Sequence, residues 1–179
     1  MRSHLRSVAV PSACRAGEAV IRPASPADAD AIVRIYNPYV LETTISFETG
    51  PVPAGVMAER LRRTLEGHPW LVLEEDGAVL GYAYGSRFKE REAYRFAVET
   101  TVYVAQGHAR QGIGTRLYQA LLPDLRARGF HTALAVIALP NDASVSLHER
   151  FGYRKVAHFP EVGWKFSRWI DVGTWALRL

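Results

Sequence analysis

The sequence predicts one α/β domain built on a mixed sheet of about seven strands, flanked by about four helices. Three observations predict it. The 179 residues leave room for one sizeable core. Short apolar runs alternate with segments of helical period, in the order βα(α)βββαβαββ. Asp76-Gly77 separates two of the apolar runs and is a strong hairpin signal.

Each element has a local reason. Residues 19–22 read as the first strand. Ser25-Pro26-Ala27-Asp28 opens a helix, with Ser as N-cap, Pro at the first helical position and Asp at the third. That helix runs to about Tyr39, and residues 43–47 are extended or loop. Residues 53–66 form a second helix whose apolar face carries Val56, Leu61 and Leu65. Residues 70–74 and 79–84 are the two strands of the Asp76-Gly77 hairpin, and residues 94–104 a longer strand. A helix over residues 113–128 ends at Gly129, a fitting C-terminal stop, with a kink expected at Pro123. Residues 132–138 form a strand, and Asn141 N-caps a short helix reaching Phe151. Residues 153–159 and 172–178 read as the last two strands.

Composition excludes several classes. The net charge of +4 is concentrated at the start, where residues 1–22 hold four arginines against one glutamate. The remaining 18 basic and 17 acidic residues leave the body near neutral, which argues against a nucleic-acid surface. No apolar run approaches a membrane span. The single cysteine, Cys14, excludes an internal disulfide framework, and a reducing, cytoplasmic setting fits. Residues 1–18 are rich in Arg, Ser and Ala. They read as a disordered leader, with an organelle transit peptide as the weaker alternative; Val8-Ala9-Val10 is too short for a signal-peptide core.

The chemistry concentrates at His108-Ala109-Arg110-Gln111-Gly112-Ile113-Gly114-Thr115, between a strand and a helix. Two glycines at such a junction let backbone N–H groups turn inward, and a helix N-terminus behind them favours phosphate oxygens. A dinucleotide fingerprint lacks its third glycine, since position 117 is Leu, and a P-loop lacks Gly-Lys-Ser/Thr. Two glycines alone read equally as a tight turn without a ligand.

Around them, the ordered blocks narrow the reading. Arg110-Gln111-Gly112-Ile113-Gly114-Thr115 resembles motif A of the GCN5-related N-acetyltransferases (GNAT), and residues 141–153 resemble motif B. The similarity is closest to the phosphinothricin and methionine sulfoximine acetyltransferase branch and covers about residues 20–179. Supporting blocks include Ile45-Ser46-Phe47-Glu48, Pro69-Trp70-Leu71-Val72, residues 89–94 and 98–104, Leu139-Pro140-Asn141-Asp142 and Trp169-Ile170-Asp171-Val172-Gly173.

The resemblance implies a GNAT-like domain over residues 19–179 that takes acetyl-CoA as co-substrate, and the six histidines show no paired metal spacing, so no metal is expected. Val102, Tyr103 and Val104 would pair with the pantetheine arm like an added strand. Arg110, Gln111, Gly112, Ile113, Gly114 and Thr115 would hold the pyrophosphate. Asn141 would lie near the thiol end, with Ser144 beside it in the first turn of its helix. Ala109 stands where the family often has Gln or Arg, which removes a side-chain contact but leaves the backbone nest. A small-molecule amine would be the acceptor and a homodimer the assembly.

Catalysis is expected at Glu99 and His148. An amine must lose a proton before it attacks a thioester, and the Glu99 carboxylate, directly or through a water, can take it. Spacing alone reads Glu99 equally as an edge carboxylate in a surface pair. His148 stands where many relatives carry a Tyr that protonates the leaving thiolate, and imidazole can do that work; otherwise it packs against the sheet. Phe47, Lys89, Arg91, Tyr94, Glu99 and Thr100 are expected to line the acceptor pocket, the cations holding a carboxylate or phosphinate. Glu90 and Glu92 make a solvated charged loop the alternative there, and Arg87-Phe88 departs from the branch's usual Pro-Trp. Lys165, Trp169 and Asp171 match a C-terminal signature that is structural or at a dimer interface. The competing functions are acetylation of a protein N-terminus or a polyamine, and a non-catalytic acyl-CoA sensor.

Overall fold

A computed structural model describes residues 19–179, and the leader expected at residues 1–18 lies outside the described residues. The strands are β1 (Val20–Pro23), β2 (Trp70–Glu75), β3 (Ala78–Arg87), β4 (Ala97–Val104), β5 (Thr132–Ala138), β6 (Arg154–Lys165) and β7 (Arg168–Arg178). The helices are α1 (Ala29–Glu42), α2 (Ala54–Leu65), α3 (Ile113–Ala127) and α4 (Asp142–Arg150). One seven-stranded sheet runs in the order β1-β2-β3-β4-β5-β7-β6, antiparallel except for the β4–β5 pair. Among the described residues no helix is long and apolar enough to cross a membrane.

Strand β2 is buried on both faces over residues 70–73, so its pattern there is continuously apolar rather than alternating. On β2, Leu71 and Leu73 join the core beneath α3, while Trp70 and Val72 join the core beneath α1 and α2. Asp76 and Gly77 both take positive φ (50° and 78°), the geometry of a two-residue hairpin turn that only the side chain of Asp, Asn or Gly tolerates well. At the first helix, the Asp28 carboxylate accepts from the Ser25 N–H at 2.7 Å and from the Arg22 guanidinium at 2.7 and 3.0 Å. Arg22 also donates to Glu74 on β2, so helix entry and sheet edge share one ion cluster. Residues 26–28 form a short 3-10 turn ahead of α1 rather than its first turn.

Three boundaries differ from the sequence expectation. Residues 92–94 form a 3-10 turn, and β4 begins only at Ala97. Helix α1 continues through Pro38 to Glu42, because its last carbonyls are capped: Thr43 Oγ1 donates to Tyr39 O at 2.7 Å and Lys165 Nζ to Val40 O at 2.7 Å. The last two strands are far longer than residues 153–159 and 172–178. They close through Phe166-Ser167, a turn with positive φ at both residues (49° and 58°) and no glycine to announce it. Helix α3 passes unbroken through Pro123.

Helix α3 is the floor on which the strand-to-helix loop rests. Its Leu117 is fully buried against the sheet. Leu117→Ala is expected to cost about 2–5 kcal/mol in chemical denaturation; a loss well below that range would show that the floor collapses around the gap.

Candidate active site

The sheet opens at its one parallel pair. β4 and β5 are hydrogen-bonded only where Ala97–Glu99 face Thr132–Leu134, and beyond that point they part. β5 continues beside β7 to Ala138, while β4 continues beside β3 to Val104. On the side facing the gap, the main chain of residues 100–104 therefore has no strand partner. Unpaired strand edges pair readily with any extended ligand. Thr100 closes the point of the gap: its hydroxyl donates to the Leu134 carbonyl at 3.1 Å and receives the Tyr153 hydroxyl at 2.8 Å.

A cleft of about 1040 Å³ fills the gap, large enough for a cofactor arm and a small acceptor together. At one end lies the strand-to-helix loop. Gly107, Arg110 and Gly112 have positive φ (82°, 64° and 76°), and Gly112 N-caps α3. A Cβ on Gly112 would meet nothing, so this glycine is needed for its backbone conformation rather than for space. A Cβ on Gly114 would approach Leu147 of α4 to 3.2 Å, so there the close approach of the two helices favours glycine. The turned amides and the helix N-terminus suit an anion.

Val102, Tyr103, Val104, Arg110, Gly112, Ile113, Gly114, Thr115, Asn141 and Ser144 all line this cleft. Gln111 does not line it; its side chain bonds His108 Nδ1 at 3.2 Å. The Val104 carbonyl accepts the Tyr39 hydroxyl at 2.6 Å. Asn141 uses its side-chain oxygen to accept from the Ser144 N–H at 3.1 Å and so fixes the start of α4.

Glu99 and His148 both line the cleft, in unlike surroundings. Glu99 sits where the strands part, half-buried, and no side chain among the described residues hydrogen-bonds its carboxylate. Burial alone raises its pKa, because a carboxylate losing water without gaining a donor is better off protonated. His148 is 3% exposed, and both ring nitrogens are engaged. Nδ1 lies 2.7 Å from the Ser144 carbonyl, which can only accept, so Nδ1 carries the proton. Nε2 then accepts the Tyr118 hydroxyl at 2.8 Å. Burial pushes this imidazole's pKa down, so the neutral ring is the stable form. Ser144 Oγ lies 3.3 Å from the same Nδ1. Because that nitrogen is a donor, the pair lacks the base that a nucleophilic serine needs.

The expected acceptor residues divide. Phe47 lines the cleft, and Thr100 reaches it with its hydroxyl already engaged. Lys89, Arg91 and Tyr94 do not line it. Their segment folds on itself instead: the Lys89 ammonium stands 5.1 Å from the Phe88 ring and 5.2 Å from the Tyr94 ring, and Arg91 N-caps the 3-10 turn. The cleft wall is completed by Tyr36, Tyr39, Ser46, Glu48 and Tyr84, none of which the sequence assigns to the site, although Ser46 and Glu48 fall in a family block. Burial pushes the Tyr84 phenol up to about 12. Tyr36 and Tyr39 recur at helical spacing on α1, a signal that reads as core. Among the described residues no three His, Cys, Asp or Glu side chains gather as metal ligands.

Comparison with known proteins places this geometry. Residues 32–153 match the model of the acetyltransferase (GNAT) family. The chain is 44% identical over 155 residues to a phosphinothricin N-acetyltransferase of Streptomyces viridochromogenes, covering 87% of this chain and 85% of that one. It is 38% identical over 160 residues to an L-methionine sulfoximine/L-methionine sulfone acetyltransferase of Salmonella typhimurium, covering 89% and 94%. A GNAT superfamily phosphinothricin acetyltransferase from Sinorhizobium meliloti, solved in complex with acetyl-CoA, superposes with a TM-score of 0.86 at 35% identity, covering 90% and 88%. The parted strands, the glycine-turned loop and these matches lead to one conclusion: the chain belongs to the GNAT acetyltransferase family.

Proposed function

We propose that this chain transfers acetyl from acetyl-CoA to the α-amine of a small amino-acid-like acceptor such as phosphinothricin or methionine sulfoximine or sulfone. The observation that carries the reading is the position of Glu99. Glu99 lies where the β4–β5 pairing ends and lines the same cleft as the free edge of β4 and Phe47, Glu48 and Tyr84. The relatives' substrates support the acceptor class.

The residues divide the work by position. The amides of residues 110–115 suit the pyrophosphate, and the free edge of residues 102–104 suits the pantetheine arm. A main-chain N–H at that edge also suits the thioester carbonyl as it becomes an oxyanion. Glu99, directly or through a water, accepts the proton that the amine loses. The amine nitrogen bonds the acetyl carbon, the carbon–sulfur bond breaks and the thiolate leaves. Holding both reactants in one cleft supplies much of the acceleration. His148 acts in this reading by position rather than by proton transfer: with both nitrogens engaged it anchors α4, and with it Asn141 and Ser144, to α3. Homodimer assembly in the cytoplasm belongs to the same proposal. The exposed Phe159, Trp164 and Trp169 on β6 and β7 give a dimer contact apolar surface.

A polyamine acceptor is the second reading, because Glu48 and Glu99 on the wall make that end of the cleft acidic while Lys89 and Arg91 stand off it. Arg60, which donates to Glu48, offsets one of the two charges and favours the amino-acid reading. A thiol-release assay with acetyl-CoA tests the choice across phosphinothricin, methionine sulfoximine, methionine sulfone, spermidine and a short peptide. Turnover confined to the amino-acid analogues is expected; turnover on spermidine alone would reverse the assignment.

Glu99→Gln is expected to lower kcat/KM by about 10²–10⁴-fold. As a base Glu99 works ionised, so the wild-type rate should rise with pH through a pKa above that of an ordinary glutamate, and the variant should lack that limb. An unchanged rate would remove Glu99 from the base role. For His148, ¹⁵N NMR across the neutral range should show a neutral ring protonated on Nδ1, still neutral at the pH where a free imidazole is half-protonated. An imidazolium at neutral pH would restore it as a proton donor.

A further inference from the structure

Lys165 has no part in the chemistry above, yet it is 5% exposed. An ammonium leaves water only where its N–H groups find acceptors. Lys165 Nζ donates to two main-chain carbonyls, Val40 at 2.7 Å and Ser46 at 2.6 Å, and stands 5.0 Å from the Phe166 ring. Val40 lies in the last turn of α1, and Ser46 immediately precedes Phe47 and Glu48 on the cleft wall. One ammonium on β6 thus ties the end of α1 and the acceptor-side loop to the β6–β7 hairpin.

A second contact lies two residues away on the same face of β6. The Phe47 ring covers Gly163 so closely that a Cβ there would sit 2.3 Å from its Cζ and 2.4 Å from its Cε2. Gly163 has no positive φ, so glycine is required for room alone. The loop between these contacts is pinned once more, by the Tyr36 hydroxyl on Ser46 Oγ at 2.7 Å. Among the described residues, the Lys165 ammonium bonds neither the strand-to-helix loop nor β4; the link to the free edge runs only through α1, where Tyr36 packs edge-on to Tyr103 at 5.1 Å and Tyr39 donates to Val104 O.

We propose that Lys165, together with the Phe47–Gly163 contact, makes the β6–β7 hairpin the backstop of the acceptor wall. Lys165 is then a positioning residue that sets how tightly the amine acceptor is held, far more than it affects acetyl-CoA. The proposal rests on reading the cleft as an acetyltransferase site.

Two variants test it. Lys165→Met removes the ammonium and keeps the apolar stem. Gly163→Ala pushes the Phe47 ring aside and removes no polar group, so it carries the test if the first variant fails to fold. In both, the acceptor KM should rise about tenfold or more while the acetyl-CoA KM stays within about twofold. Hydrogen exchange of residues 43–50 should quicken about tenfold in Lys165→Met, with α3 unchanged. An unchanged acceptor KM beside faster exchange would overturn the positioning role, and unchanged exchange would overturn the clamp itself. If the wild-type enzyme acetylates no amine at all, the proposed function fails. The exchange of residues 43–50 then still supports or overturns the clamp.

Discussion

The site depends on a break in hydrogen bonding. Seven strands lie in one sheet, and only between β4 and β5 does the ladder stop part-way, at Glu99 and Leu134. A buried backbone group without a partner costs free energy, so a fold does not leave a strand edge bare inside a core without compensation. Here the compensation is local and incomplete. The Thr100 hydroxyl satisfies the Leu134 carbonyl at the point of divergence, and Tyr153 satisfies Thr100 in turn. Beyond them the edge of residues 100–104 opens onto the cleft. Glu99 is the last residue of β4 paired with β5 and lines the same cleft, so the free edge and the proposed base adjoin.

The helix α4 is held at this opening by buried polar contacts. His148 donates to Ser144 O and accepts from Tyr118 of α3, and its ring packs edge-on to Tyr118 and Tyr153 at 5.2 and 5.1 Å. Satisfied networks of this kind rigidify a core and specify one arrangement. Asn141, at the far end of α4, is then fixed at the cleft by its own capping bond. Chemistry marks a histidine at this family position as an acid; its burial and two hydrogen bonds are what support the proposed anchoring role instead.

Much of this was legible in the sequence. The order of elements follows from hydrophobic period and turn residues, and the Asp76-Gly77 hairpin follows from backbone sterics. The strand-to-helix loop declared itself through Gly112 and Gly114. Other features rest on contacts between residues far apart in sequence. The end of α1 lies one turn beyond its expected place because Lys165 caps Val40 from the other end of the chain. The β6–β7 hairpin is longer than its sequence pattern predicts. Pro160 and Gly163 look like breakers, and the turn uses Phe166-Ser167 instead of Asn-Gly. The bulge between them is held by Asp171, whose carboxylate accepts from the Glu161 N–H at 2.9 Å and pairs with His158 at 2.7 Å. The standing of Lys89 and Arg91 off the cleft was equally hidden, since charge and spacing do not say which way an excursion folds.

The proposed chemistry stands or falls with the parted edge of β4 as the acetyl-CoA site. Amide NMR during titration with acetyl-CoA tests it most directly. Amides of residues 100–104 and 110–115 should shift together and saturate at one affinity, while residues 97–99, already paired with β5, stay still. Saturable binding that leaves residues 100–104 unmoved would contradict it.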